Sequence, residues 1–183
     1  MSPWRRVALI QWTAIAALPG LALCARAADP SAPRQIGWTD LLPKGWDAQQ
    51  ALSGVDLASL QDGDPRANDL LLRLREAADN APPNTALDGT PIRIAGFVVP
   101  IEELRGEVSE FLLVPYFGAC IHTPPPPANQ IIHVKAPPSH KGLRSMDVVW
   151  VSGTLRVTRS DTQMGVSGYS VRADRLERYT GAR

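Results

Sequence analysis

MDVVWVSGTLRVTR, residues 146–159, is the stretch on which the fold turns. It is rich in valine. On an extended chain Val149, Val151 and Gly153 fall on one side, with Val148, Trp150 and Ser152 on the other, because strand side chains alternate. Gly153 sits in mid-strand, where a missing side chain permits the bulge or tight coil that lets a sheet curl. Four further segments read the same way: TPIRIAGFVVP (90–100), SEFLLVPYF (109–117), NQIIHVKA (129–136) and SGYSVRADRLERY (167–179). All are short, rich in Val, Ile and aromatic residues, and bounded by Gly, Pro, Asn or Asp. In the first, Ile92, Ile94 and Gly96 share a face opposite Arg93, and Gly96 is a second mid-strand glycine.

Five strands with two curl-permitting glycines predict a mainly β (α+β) chain, with a small OB-like five-stranded barrel over residues 87–183. A helix precedes it, at 64–81. Asp64 suits its N-cap and Pro65 its first position; NDLLLRLREAADN follows, and Asn80 before Ala-Pro-Pro ends it. Leu70, Leu74 and Ala77 or Ala78 make one apolar stripe, widened by Leu71. Residues 28–63 read as an irregular N-terminal segment. Its polar lead-in, 28–37, is expected to be mobile. WTDLLPKGWD (38–47) carries Trp38, Leu41, Leu42 and Trp46 as anchors that clip the segment onto the main body, with a partner-binding surface as the alternative.

The first 27 residues have the three parts of a secretory signal peptide: a basic start with Arg5 and Arg6, an apolar run, and Ala25-Arg26-Ala27 as cleavage site. Leu23 before Cys24 argues against lipoprotein acylation. Gln11, Thr13, Pro19 and Gly20 weaken the run as an uncleaved anchor, and no later segment is apolar enough to span a membrane. The chain is therefore expected in the periplasm without a stable span. Cleavage takes three arginines and no acid from 19 Lys+Arg and 18 Asp+Glu, leaving 156 residues with a formal charge of −2. That length suits one domain. That charge does not suit nucleic acid, which selects a basic surface.

Cleavage also leaves Cys120 as the only cysteine, so no internal disulfide can form. A lone thiol in an oxidising compartment is buried, metal-bound or used. It lies in FLLVPYFGACIHTPPPPANQ, residues 111–130. Cys120 and His122, two apart on extended chain, point the same way, and thiolate with imidazole is a ligand pair for Zn²⁺, with copper as alternative. The remaining histidines, His133 and His140, both lie within 20 residues of Cys120, and Glu102, Glu103 or Asp147 offers a carboxylate. Pro124 to Pro127 pre-form an extended rail directly after the pair. Asn129 and Gln130 read either as local turn residues or as pins holding that rail to the barrel, and Tyr116 and Phe117 as core or loop-packing aromatics. A cysteine nucleophile with His122 as base and Asn129 as orienter ranks lower, since such pairs usually come from different elements.

Together GFVVP (96–100), the 111–130 block and WTDLLP (38–43) resemble a bacterial family of exported proteins known only as a domain of unknown function. The resemblance covers nearly the whole mature chain and matches at Cys120, His122, Pro124 to Pro127, Asn129 and Gln130. Some relatives are encoded beside MacB-like ABC transporters in zinc-responsive operons. The resemblance therefore implies a periplasmic role in metal supply, or in assisting an ABC transporter or another periplasmic protein. The residues lead to two expectations. One is a non-enzymatic transition-metal protein, with zinc as the first expected ion and Cys120, His122, His133 and His140 as candidate ligands. The other is a metal-free protein or peptide interaction module with a buried structural Cys120.

Overall fold

A computed structural model describes residues 32–47, 65–120 and 125–180. The chain divides into two units, 1–30 and 31–183, and all described residues belong to the second. The expected signal peptide, the expected N-cap Asp64 and His122 with Thr123 and Pro124 lie outside the described residues.

The elements run β1 (Arg34–Gln35), α1 (Pro65–Asp79), β2 (Pro91–Leu104), β3 (Glu107–Val114), β4 (Ile132–Lys135), β5 (Val148–Thr162) and β6 (Gly165–Arg178). The five long-range strands stand where alternation put them. They form one mainly β sheet in the order β1-β2-β3-β4-β6-β5, and β5 pairs back onto β2, so the pairings close into a ring. All these contacts are antiparallel except β1 with β2 and β4 with β6.

The two mid-strand glycines make the curl. At Phe97, just after Gly96, β2 passes from β5, its partner over Pro91–Phe97, to β3, its partner over Phe97–Leu104. A Cβ on Gly96 would stand 2.8 Å from the Val114 carbonyl oxygen, Leu113 and Trp38 alike. At Gly153 the β5–β6 register slips, and a Cβ would stand 2.5 Å from the Arg172 carbonyl oxygen. Only hydrogen fits at either place.

Alternation sorts the apolar side chains into two clusters. Ile92, Ile94, Val98, Phe111, Leu113, Ile132, Val134, Val149, Val151, Leu155, Tyr169 and Val171 form the main core, with each of these at most 1% exposed. The opposite faces of β2 and β3 present Val99, Leu112 and Val114, which pack with Ala119 and Ile131 into a second cluster. Ala119, soon after β3, and Ile131, just before β4, thus pack on the outer face of the β2–β3 pair.

The N-terminal clip is packed as expected, and it begins earlier than expected. Residues 34–36 are not a free lead-in: Arg34 and Gln35 pair with Ile92 and Arg93, and the Ile36 N–H donates to the Arg93 carbonyl at 3.0 Å. Ile36 is an apolar anchor inside a polar stretch, and its burial in the core holds the strand. Leu41 is fully buried, its carbonyl accepting from the Tyr169 hydroxyl at 2.6 Å. In α1, Ala67, Leu70, Leu74 and Ala78 are half-buried, spaced for one helical stripe. Leu71 does not widen it. At 63% exposure it lies outside the stripe, beside Leu72 at 70%. Arg159 of β5 donates to the Asp79 carbonyl, tying the end of the helix to the sheet. No helix among the described residues is long and apolar enough to cross a membrane.

Candidate functional site: the Cys120 turn and the aromatic cleft

Pro115 stops β3 because it has no N–H for the ladder. The chain then turns through Tyr116, Phe117 and Gly118, the glycine at φ +82°. Ala119 is buried, and Cys120 follows, half-buried, with φ +65°. That left-handed conformation costs a residue with a Cβ roughly 1–2 kcal/mol. The thiol packs against the second apolar cluster. Burial pushes its pKa up to about 11, although the Arg75 guanidinium pulls the other way. At neutral pH it is a protonated thiol, which is a poor nucleophile.

The other expected ligands are placed differently. The Nε2 atom of His133 lies 2.7 Å from Glu110 Oε2 across the β3–β4 pair, and Lys135 Nζ holds Glu110 Oε1 at 2.9 Å. His140 stands in the 137–142 loop, its N–H donating to the Pro137 carbonyl. Among the described residues no group of three or more His, Cys, Asp and Glu side chains could hold a metal ion. Of the four candidate ligands, His122 lies outside the described residues, and Cys120, His133 and His140 are part of no such group. His133 is paired with Glu110, which Lys135 holds by its other oxygen.

The Glu110 cluster has a pH signature. Burial pushes the carboxyl up, but hydrogen bonds from Lys135 and His133 and their charges outweigh it and hold it below its ordinary 4.5. A carboxyl depressed on folding stabilises above its unfolded pKa, and that stabilisation is lost as pH falls through the folded value. Glu110→Gln should therefore lower stability by about 1 kcal/mol at pH 7 and by less below pH ~4. Urea titrations at the two pH values check this.

The side chains of Asn129 and Gln130 reach distant parts of the chain, but not the strands of the ring. Gln130 Nε2 donates to the Trp38 carbonyl at 2.9 Å and Asn129 Nδ2 to the Pro82 carbonyl at 3.1 Å. Pro127 just before them is extended, with φ −57° and ψ 150°, as the end of a polyproline rail should be. Gln130 thus fastens the N-terminal clip, at Trp38, to the chain that enters β4, and Asn129 fastens the segment after α1 to the same place.

Trp38 in turn leads to a cleft whose other walls the sequence reading did not connect with it. A cleft of about 940 Å³ opens beside Ala95–Phe97 of β2, lined by Trp38, Phe97, Phe117, Met146 and Tyr179, with Asp147 and Arg178 among its polar walls. The indole N–H of Trp38 donates to the Ala95 carbonyl at 2.8 Å, which fixes the ring. Phe97 and Phe117 meet edge to face, centroids 5.9 Å apart. Arg178 reaches Asp147 at 3.5 Å and the Gly142 carbonyl at 3.0 Å. Phe117 is 65% exposed, and Tyr116 and Tyr179 are also exposed. Tyr116 and Phe117 are therefore not core residues, and of the two readings only loop packing remains: Phe117 packs on Phe97 while the turn between Pro115 and Gly118 holds both rings outward. No signal in the sequence joins these aromatics, because they come from the clip, β2, the Cys120 turn and the chain after β6.

The sequence pattern of one protein family, described as "Protein of unknown function (DUF3299)", matches residues 38–178. The crystal structure of a DUF3299 family protein from Pseudomonas aeruginosa PAO1 is similar, at TM-score 0.63 and 35% identity over 83% of this chain and 99% of that chain. None of the curated proteins matches.

Proposed function

The chain belongs to the DUF3299 family, and we propose that it is an exported interaction module that takes an apolar segment of a partner protein into its aromatic cleft. The observation that carries this reading is the cleft wall itself, with Trp38, Phe97, Phe117 and Tyr179 brought from four parts of the chain to one face. Aromatic residues and arginine dominate the energetics of protein interfaces, and exposed aromatic groups of this size mark contact sites. A small ligand would leave Tyr116 and the outer face of Phe117 wet; a protein segment covers them. The ring order, with a parallel contact between its third and fifth long strands, supports reading the sheet as an OB-like barrel, a scaffold that binds on one face. The compartment is the periplasm, and the ABC transporter that the family resemblance implies is a partner of the right kind.

The test is titration of the exported protein with short peptides rich in aromatic and proline residues, read by tryptophan emission, since Trp38 lines the cleft. Binding is expected, and Phe117→Ser should weaken it by about tenfold or more, the loss of one aromatic hot spot. Equal affinity in the variant would sink the reading.

Cys120 favours a second reading, transition-metal binding with His122. A cysteine in left-handed backbone is a strained residue, and such strain tends to be kept where a site needs it. Thiol labelling with and without a chelator tests it. A thiol that reacts equally in both removes the reading.

A further inference from the structure

Alternation carries the floor of the cleft onward along β2. Ala95 and Phe97 line the cleft, and Arg93 is the next residue on their face of the strand, about 7 Å further on. The neighbouring β5 repeats the pattern: Val148 lines the cleft and Trp150 follows on the same face. Trp150 stands opposite Ala95 on one side and Glu177 on the other. Its ring meets Tyr179, a cleft residue, at 5.6 Å between centroids, and the Arg93 guanidinium lies over it at 4.0 Å. The aromatic wall therefore continues from Tyr179 to Trp150 and ends on a cation. The two ends of the cleft differ in charge. At one, Arg178 faces Asp147, which also accepts from the Arg144 N–H at 3.0 Å. At the other, a single carboxylate serves two guanidiniums: Glu177 Oε1 lies 2.9 Å from Arg175, and its Oε2 lies 3.6 Å from Arg93. These three residues sum to one positive charge. Arg93 also donates to Gln35 Oε1, a neutral acceptor, at 3.3 Å. A guanidinium has five N–H donors, and the stack on Trp150 holds this one ready for a planar acceptor.

We propose that Arg93 is a specificity-determining residue that reads a carboxylate on the partner. The segment that enters the cleft is apolar or aromatic where it meets Trp38, Phe97, Phe117 and Tyr179, and it carries a glutamate or aspartate where it passes Trp150. This rests on the reading of the cleft as a protein-interaction site and names the chemistry of the partner. A carboxylate matches the guanidinium fork with two parallel hydrogen bonds. Arg93 is half-buried, so its charge is screened less than a fully solvated one. A partner with a lysine or arginine at that point would be repelled, which is how charge selects among apolar segments of similar shape.

The experiment is calorimetric titration of the exported, processed protein with two peptides that share a core of alternating phenylalanine and proline. One is flanked at both ends by glutamates, the other by glutamines. Wild type should bind the glutamate peptide about tenfold tighter, the low end of the coupling measured between close charges across an interface. The preference should shrink as salt is raised. Arg93→Gln, checked for unchanged melting, should bind both peptides alike while keeping the wild-type affinity for the glutamine peptide. The comparison of the two peptides on wild type needs no variant, so it decides even if Arg93→Gln folds poorly. Equal affinity of wild type for both peptides, tighter binding of the glutamine peptide, or a glutamate preference that survives Arg93→Gln would overturn the inference and leave the cleft reading standing. Binding of neither peptide would overturn both.

Discussion

Gly153→Ala should destabilise the protein by about 3 kcal/mol or more, the upper range for forcing atoms into a packed interior. The added methyl carbon would stand 2.5 Å from the Arg172 carbonyl oxygen and 2.8 Å from Val171. Arg172 and Val171 are ladder partners of β5 in the ring, so neither can withdraw without breaking the β5–β6 contact. A domain of this size holds roughly 5–15 kcal/mol, and each kcal/mol moves the melting midpoint by about 2–4 °C. The midpoint should therefore fall by about 6–12 °C, or the chain should fail to accumulate. Gly37→Ala is the control, because its Cβ would meet nothing closer than 3.8 Å. It should melt within about a degree of wild type.

Tyr169→Phe should cost about 2–4 kcal/mol, although it removes one oxygen and leaves the ring in place. The hydroxyl accepts from the Asn84 N–H and donates to the Leu41 carbonyl at 2.6 Å, and the side chain is fully buried. Both backbone groups would then lack a partner where water does not reach easily, the costly way to lose a hydrogen bond. The loss is also directional. Leu41 belongs to the clip that carries Trp38, so amide exchange in residues 36–42 should rise more than exchange in β3 or β5. Uniform acceleration across the ring would show that Tyr169 supports the core alone and does not hold the clip.

Much of the fold was legible because the chain alternates. Ile92, Ile94, Val149 and Val151 announce their faces by period two, and Gly96 and Gly153 mark the two places where the sheet bends. The strand order was less accessible. The parallel contact of β4 with β6 joins His133 to Ser170 and Val134 to Val171, and no local pattern specifies a pairing across that separation. The two-residue β1 is too short to show a period at all. Leu71 misled because an apolar residue beside a stripe reads as part of it. Only the side of α1 that meets the ring is covered, and Leu71 falls outside it.

The site was legible in part. Cys120 and the block after it stand out by composition, and the reading of Asn129 and Gln130 as pins of the rail to the barrel has the wrong partners. What they pin was not readable: Gln130 holds Trp38, 92 residues away. The cleft was hidden for the same reason. Its aromatics become neighbours only when the ring closes, and single aromatics in a sequence look like core. The pairing of His133 with Glu110 was hidden too, because it depends on the β3–β4 register that sets Leu112 opposite His133.

The most direct measurement on the central claim is photo-crosslinking inside the cell. A photoreactive residue is placed at Phe117 or Tyr179 in the cleft, and for comparison at Arg156 or Asp174, which are exposed and are not among the cleft-lining residues. Discrete adducts with an exported or membrane protein are expected from 117 and 179, with none from 156 and 174. The same adducts at equal yield from all four positions, or from 156 and 174 alone, would contradict a partner seated in the aromatic cleft.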